Sequence, residues 1–296
     1  MRKKKRMILP AILMLGLLTA CGQAKEAAST AHAGHGAAAT AAPASAQPDG
    51  GHGGHSGHEA VPQTPAAAAL QAAFTFAAGA PKAGAPAELT VRITDQAGKP
   101  VQDFQVNHEK LLHLIVVSHD LTSFEHLHPA YKGDGLFTVP VTFPAGGTYK
   151  LFADFIPNGG SSTTLSQQVK VEGVETGHTP LTADSKLVKE VSGKEISLAA
   201  SGLKVNQETT LTFTIRDAKT KQDITNLQPY LGAVGHVVII SADSEQYLHV
   251  HPLDESAKGP EAKFATMFPK AGIYRIWGQF QHNGEVVTVP FTVDVK

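Results

Sequence analysis

The sequence predicts an all-β protein: two tandem Ig-like β-sandwiches preceded by a signal peptide and a disordered His-rich tether. One histidine pattern occurs twice, as His113-Leu-Ile-Val-Val-Ser leading to His126-Leu-His128-Pro129, and as His236-Val-Val-Ile-Ile-Ser leading to His249-Val-His251-Pro252. In both copies the first His precedes the His-x-His pair by 13 and 15 residues, which implies two related domains and one kind of site. Around each copy lie several short strands divided by Gly and Pro turns over about 100 residues, as in an Ig-like sandwich. Neither half contains a long amphipathic helical pattern.

Residues 1–20 read as a lipoprotein signal peptide. Arg2, Lys3, Lys4, Lys5 and Arg6 form its positive region, Met7 to Leu18 its apolar run, and Thr19-Ala20 its small-residue cleavage site. That run falls short of the roughly 20 apolar residues that a membrane span requires. Leu18-Thr19-Ala20-Cys21 resembles the bacterial lipobox. The resemblance implies that Cys21 is diacylated through its sulfur, becomes the mature N-terminus and anchors the chain to the extracytoplasmic side of the cell membrane. The alternative is an ordinary signal peptide with a chance Cys.

This reading narrows the chemistry. Cys21 is the only Cys, so its lipidation leaves no thiol for a disulfide, an iron–sulfur cluster, a Cys-based zinc site or a blue-copper centre. Three of the four Met residues, Met1, Met7 and Met14, lie in the signal, and Met267 alone cannot form a thioether Cu(I) site. Loss of residues 1–20 removes five positive charges and takes the net charge from −1 to −6, a poor match to nucleic acid. What remains is His, 15 in all, and imidazole suits Zn, Cu(II) and Ni.

Residues 21–69 are dominated by Ala, Gly, Pro, Ser and His and cannot bury enough apolar surface to offset ordering entropy, hence the tether. His52, His55 and His58, in Gly-His-Gly-Gly-His-Ser-Gly-His, are weaker metal candidates, the alternative being a plain solvated spacer. The first sandwich is expected over 70–172, a linker over 173–182 and the second sandwich over 183–296.

Within the sandwiches, Leu89–Asp95 and Leu211–Asp217 alternate apolar and polar residues, whereas Leu112–Val117 and His236–Ile240 are β-branched runs suited to central strands. Phe143-Pro-Ala-Gly-Gly-Thr-Tyr149-Lys-Leu-Phe152-Ala-Asp-Phe155 matches Phe268-Pro-Lys-Ala-Gly-Ile-Tyr274-Arg-Ile-Trp277-Gly-Gln-Phe280 position for position. Tyr149, Phe152, Phe155, Tyr274, Trp277 and Phe280 are expected to fill the sandwich cores. Asn158-Gly159 and Asn283-Gly284 follow as hairpin signals, then closing strands at Gln168–Val171 and Phe291–Val295. His108 and His178 have no counterpart in the other repeat and read as loop residues.

On these motifs, the region from Phe74 to Lys296 resembles the YtkA-like or FixH-like secreted proteins of bacteria, which carry Ig-like domains. The segment Ala271-Gly-Ile-Tyr274-Arg-Ile-Trp277 through Asn283-Gly284 to Phe291-Thr-Val293 is also similar to the last hairpin of CopC-type copper-resistance proteins. That similarity implies a part in copper handling for His282, beside the hairpin Gly. The chain departs from the pattern in two ways: its mature N-terminus would be acylated rather than a free His, and Pro157 stands where repeat two has His282.

Side chains at i and i+2 share one face of a strand, so His126 with His128, and His249 with His251, can converge on one ion. Leu127, Leu248 and Val250 then point to the core. A four-residue loop, His119–Thr122 or Ala242–Glu245, brings His113 or His236 to the same face; a five-residue loop inverts it. Three imidazoles with an open position can hold copper or zinc. His-x-His plus a distant His is also the ligand pattern of carbonic anhydrase, but no base recurs beside it, and Asp120 and Asp243 suit turns. The expected function is therefore non-enzymatic: binding of a divalent metal ion for buffering, sequestration or delivery. The alternative is a cell-surface interaction module in which the histidines are structural.

Overall fold

The computed structural model describes residues 70–175, 177, 180–248 and 250–296. Repeat one contains nine strands: β1 (Leu70–Phe76), β2 (Pro86–Asp95), β3 (Phe104–Gln105), β4 (Leu112–Ser118), β5 (Phe124–Leu127), β6 (Ala130–Gly133), β7 (Leu136–Thr142), β8 (Gly147–Pro157) and β9 (Thr163–Val171). They form two sheets, β1-β2-β7-β6 and β5-β4-β8-β9, with β3 beside the end of β8. Repeat two contains β10 (Val188–Val191), β11 (Lys194–Ala200), β12 (Glu208–Asp217), β13 (His236–Ser241), β14 (Tyr247–Leu248), β15 (His251–Pro252), β16 (Glu261–Met267), β17 (Gly272–His282) and β18 (Glu285–Val295). Its sheets are β10-β11-β12-β16-β15 and β14-β13-β17-β18. No strand gives way to a helix among the described residues. This is the two-sheet partition of an Ig-like sandwich, repeated once.

Each sheet follows from its sequence pattern. In β2 the alternation buries Leu89, Val91 and Ile93, and in β12 it buries Leu211, Phe213 and Ile215. Tyr149 opens the long β8 and donates its phenol proton to the Ala145 carbonyl at 3.1 Å; Tyr274 does the same to Lys270 at 2.9 Å. This is the tyrosine corner of Ig-like domains, present in both repeats, so the two Tyr residues tie a strand entrance as well as fill a core. In repeat two, Asn283 (φ 53°) and Gly284 (φ 79°) make the two-residue turn between β17 and β18. Positive φ at both positions is what a type I′ hairpin turn requires.

The β-branched runs are where the fold exceeds a pair of ordinary sandwiches. Strands β4 and β13 are buried along nearly their whole length, on both faces. One face of β4 joins the core of repeat one with Leu112, Leu114 and Val116, and one face of β13 joins that of repeat two with Val237 and Ile239. The other faces meet each other. Ile115, Val117, Leu121 and Phe152 of repeat one pack with Val238, Ile240 and Trp277 of repeat two in a third apolar cluster, the joint between the sandwiches. Two aromatic pairs cross it reciprocally: Phe124 stacks on Trp277 with ring centroids 4.6 Å apart, and Tyr247 on Phe152 at 5.3 Å. Lys150 of repeat one donates across the same joint to the Ser244 carbonyl at 2.7 Å.

This corrects the expectation for Phe152 and Trp277, which do not fill sandwich cores. Leu151, Ala153 and Phe155, and likewise Ile276 and Phe280, lie in the cores, so the intervening Phe152 and Trp277 face the opposite side of their strands.

Candidate functional site

The hairpin β4–β5 settles the register. Leu114 pairs with Leu127, Ile115 with His126, and the amide of Ser118 donates to the Ser123 carbonyl at 3.2 Å, so the loop is the four-residue His119–Thr122. The same register continued places His128 across from His113. His113, His126 and His128 therefore share the face that carries Ile115 and Val117 into the joint, while Leu127 turns to the core of repeat one. Asp120 caps this loop, its Oδ1 accepting from the Ser118 hydroxyl and from the Thr122 amide and hydroxyl; Asp243 accepts from Ser241 and Glu245 in the matching loop. Both aspartates serve the turns.

One nitrogen from each of His113, His126 and His128 lies within 4.8 Å of the others. The supporting hydrogen bonds define the tautomers. His113 Nε2 is 2.9 Å from the Asn107 carbonyl oxygen, and His126 Nδ1 is 2.7 Å from Gln279 Oε1. Carbonyl oxygens only accept, so both ring nitrogens carry the protons. The remaining nitrogens, His113 Nδ1 and His126 Nε2, face each other at 3.0 Å, a separation that either a shared proton or a metal ion can bridge. His128 Nε2 is buried with no hydrogen-bond partner among the described residues.

The site is also electrostatically poised. Burial, outweighing the bond to Gln279 and aided by the neighbouring imidazoles, pushes His126 down to about 3. Burial, His113 and Lys110 push His128 down to about 4. Both are neutral at pH 7, the form that ligates metal. Asp154 pairs with His113 in the β4–β8 register, so its buried carboxylate lies on the same face. The Tyr247 hydroxyl reaches Asp154 Oδ2 at 3.4 Å, and burial together with that carboxylate raises the phenol well above its ordinary range.

The second repeat contributes in an unexpected way. His236, at the start of β13, stacks on His113 at an interplanar angle of 10° and lies 4.8 Å from His126 between ring centroids. Gly235 permits the approach of this strand to β17, since a Cβ there would meet Phe280 at 2.6 Å. His108 joins as a fifth ring, 5.5 Å from His236, carried on a tight turn in which His108 (φ 46°) and Glu109 (φ 65°) are both left-handed. Two adjacent left-handed residues, neither of them Gly, cost backbone energy, a feature associated with functional sites. The loop reading of His108 is thus incomplete.

The two copies of the pattern do not make two matching sites in the described residues. His236 turns toward the triad of repeat one, and His251 is exposed in β15, paired with Ala265 in the other sheet. His249, His178, His52, His55, His58 and Cys21 lie outside the described residues. His282 ends β17, its Nε2 3.2 Å from Asn226 Oδ1, and burial and Lys194 lower its basicity. It lies just before the Asn283-Gly284 turn and does not belong to the cluster. Sequence reasoning missed Gln279 and Asp154. The signal was there: they occupy one matched position, a polar residue inside the aromatic-rich strands Phe152-Ala-Asp-Phe155 and Trp277-Gly-Gln-Phe280.

Fold and cluster define the chain as a tandem Ig-like β-sandwich protein with a histidine cluster at its interdomain joint. It belongs to the family described as Domain of unknown function (DUF8832), whose model matches residues 68–173 and again 189–296. That family stands in place of the YtkA-like, FixH-like and CopC-type resemblances. No curated protein matches the chain. Among solved structures it is similar to the Escherichia coli adhesin FdeC, with 20% identity over 77% of this chain and 66% of that one and a TM-score of 0.27. The Yersinia pseudotuberculosis adhesin InvE shows 12% identity over 76% of this chain and 60% of that one, with a TM-score of 0.24. Tandem Ig domains of titin show 13% identity over 77% of this chain and 97% of theirs, with a TM-score of 0.20. The chain spans less than two thirds of either adhesin chain. Likeness at this level extends to neither ligand nor partner.

Proposed function

We propose that this chain is a lipid-anchored, extracytoplasmic protein that binds a divalent metal ion through His113, His126 and His128 and buffers, sequesters or delivers it. The observation that carries the reading is the pair of facing nitrogens 3.0 Å apart on rings whose other N–H groups donate to carbonyl oxygens. Two opposed lone pairs repel unless a proton or a metal ion lies between them. Protonation of His126 is disfavoured at neutral pH, because burial holds it down at about 3. A metal ion satisfies both nitrogens, and His128 Nε2 is a third buried donor without a partner among the described residues. Metal-bound imidazoles characteristically donate their other N–H to a carbonyl or carboxylate.

The spacing also bears on the metal. At M–N distances of about 2.0–2.1 Å, a 3.0 Å edge corresponds to an N–M–N angle of about 95°, nearer the tetragonal preference of Cu(II) than the tetrahedral one of Zn(II). Asp154, on the same face, offsets part of the ion's charge. The anchor rests on the lipobox-like Leu18-Thr19-Ala20-Cys21.

The test is calorimetric titration of residues 69–296 with Cu(II) and Zn(II), beside a His126→Ala/His128→Ala variant. Stoichiometric binding of one ion, lost in the variant and tighter for Cu(II), is the expected result. A second reading, a surface interaction module whose histidines brace the two domains, is favoured by the position of the cluster at the joint. Absence of binding above background, with a joint destabilised in the variant, would select it.

A further inference from the structure

The triad draws its supporting contacts from both repeats, although all three of its imidazoles come from repeat one. Gln279 lies on β17 of repeat two, is 5% exposed, and its amide is held at both ends: Nε2 donates to Thr288 Oγ1 at 3.1 Å, and Oε1 lies 2.7 Å from His126 Nδ1. His236 covers the ring of His113 from the same side. Two strand positions away from Gln279, Trp277 is buried against Phe124, itself two positions from His126. The residues that orient the ligands and the residues that close the joint thus alternate along the same strands.

We infer that metal binding at the triad is coupled to closure of the joint between the two sandwiches, with Gln279 as the positioning residue that sets His126 for ligation and His236 as the cover over His113. The inference rests on the metal reading above and adds its regulation. Opening the joint removes the acceptor for His126 Nδ1–H and frees the ring to rotate, so the open form binds the ion more weakly. By linkage, whatever factor closure contributes to affinity, the ion contributes to closure. The metal ion is then a clasp on the relative arrangement of two Ig-like domains.

The experiment uses the full chain in detergent and Zn(II), which does not quench fluorescence as Cu(II) does. Trp277 is the only Trp in the sequence and reports the joint directly. Zn(II) is expected to protect Trp277 from acrylamide quenching and to raise the melting temperature. Gln279→Leu, which keeps the bulk and removes the acceptor, should weaken the Zn(II) affinity read from Trp277 by ~10–100-fold, the usual effect of losing an outer-shell partner. Gln279→Glu, which still accepts from His126, should restore most of it; a merely structural role for Gln279 would give no such rescue. Zn(II) affinity unchanged by Gln279→Leu, or Trp277 quenching unmoved by Zn(II) that does bind at the triad, overturns the coupling and leaves the metal reading standing. No His128-dependent response of wild type to Zn(II) or Cu(II) overturns both.

Discussion

Repeats one and two carry the same histidine spacing, yet the chain uses it differently in each. In repeat one, β5 pairs with β4 over four residues and the chain joins the other sheet only at Ala130, which leaves His128 beside β4. In repeat two, β14 pairs with β13 over two residues, and His251 is already in the other sheet, opposite Ala265. An earlier sheet crossing therefore exports His251 to the surface while its counterpart stays at the joint. His236 keeps the equivalent position to His113 but faces the partner repeat's cluster. Identical spacing specifies which face a residue occupies; where the strand changes sheets decides whether the face still belongs to the site.

The largest effects should come from the joint itself, to which the repeats contribute matched positions. Phe152→Ala and Trp277→Ala remove equivalent aromatics from one cluster, and each should lower stability by about 3–5 kcal/mol in urea unfolding. A cost below about 1 kcal/mol for either would show that the reciprocal packing does not hold the domains together.

The histidines should separate the repeats sharply. His128→Ala is expected to weaken Cu(II) binding by at least ~10–100-fold, the scale set by loss of even an outer-shell partner, whereas His251→Ala should leave it within about twofold. Equal losses in both variants, measured by calorimetry, would mean that the two copies act as matching ligands after all.

Acid should act through repeat one's rings. His126 falls from 6.5 to about 3 on folding and His128 from 6.5 to about 4, so the folded form binds fewer protons than the unfolded chain. Metal-free stability is then full above about pH 6.5 and declines as the pH falls toward 4 and 3. Replacing both rings by Phe should flatten that decline in urea titrations at pH 7, 5.5 and 4.5; an unchanged slope would assign acid sensitivity elsewhere. The smallest effect should be shared: Tyr149→Phe and Tyr274→Phe each lose one corner hydrogen bond, about 1 kcal/mol. A cost confined to one of them would mark the repeats as unequal in their corners too.

Much of this was legible because periodicity is local. The alternation in Leu89–Asp95 and Leu211–Asp217, the β-branched runs and the Asn283-Gly284 turn each state their own conformation. The unbroken run Leu114-Ile-Val-Val117 held a further clue, since a strand without alternation is covered on both faces. What covers the second face is not local information. Phe152 and Trp277 looked like core aromatics because hydrophobicity does not distinguish a core from a domain joint.

The all-β class and the face shared by His126 and His128 were written in the sequence, since backbone periodicity sets both within a few residues, and two matched segments gave away the duplication and the paired tyrosines. Tertiary structure alone decided that repeat two turns its β13–β17 face onto repeat one. That packing brings Gln279 to His126 across 153 residues of chain, stacks His236 on His113, and recruits His108 from a turn. The physical reason is that the site is made by contact between two surfaces. A pattern within one strand says which way a side chain points, but the protein that it meets there is supplied by the other domain.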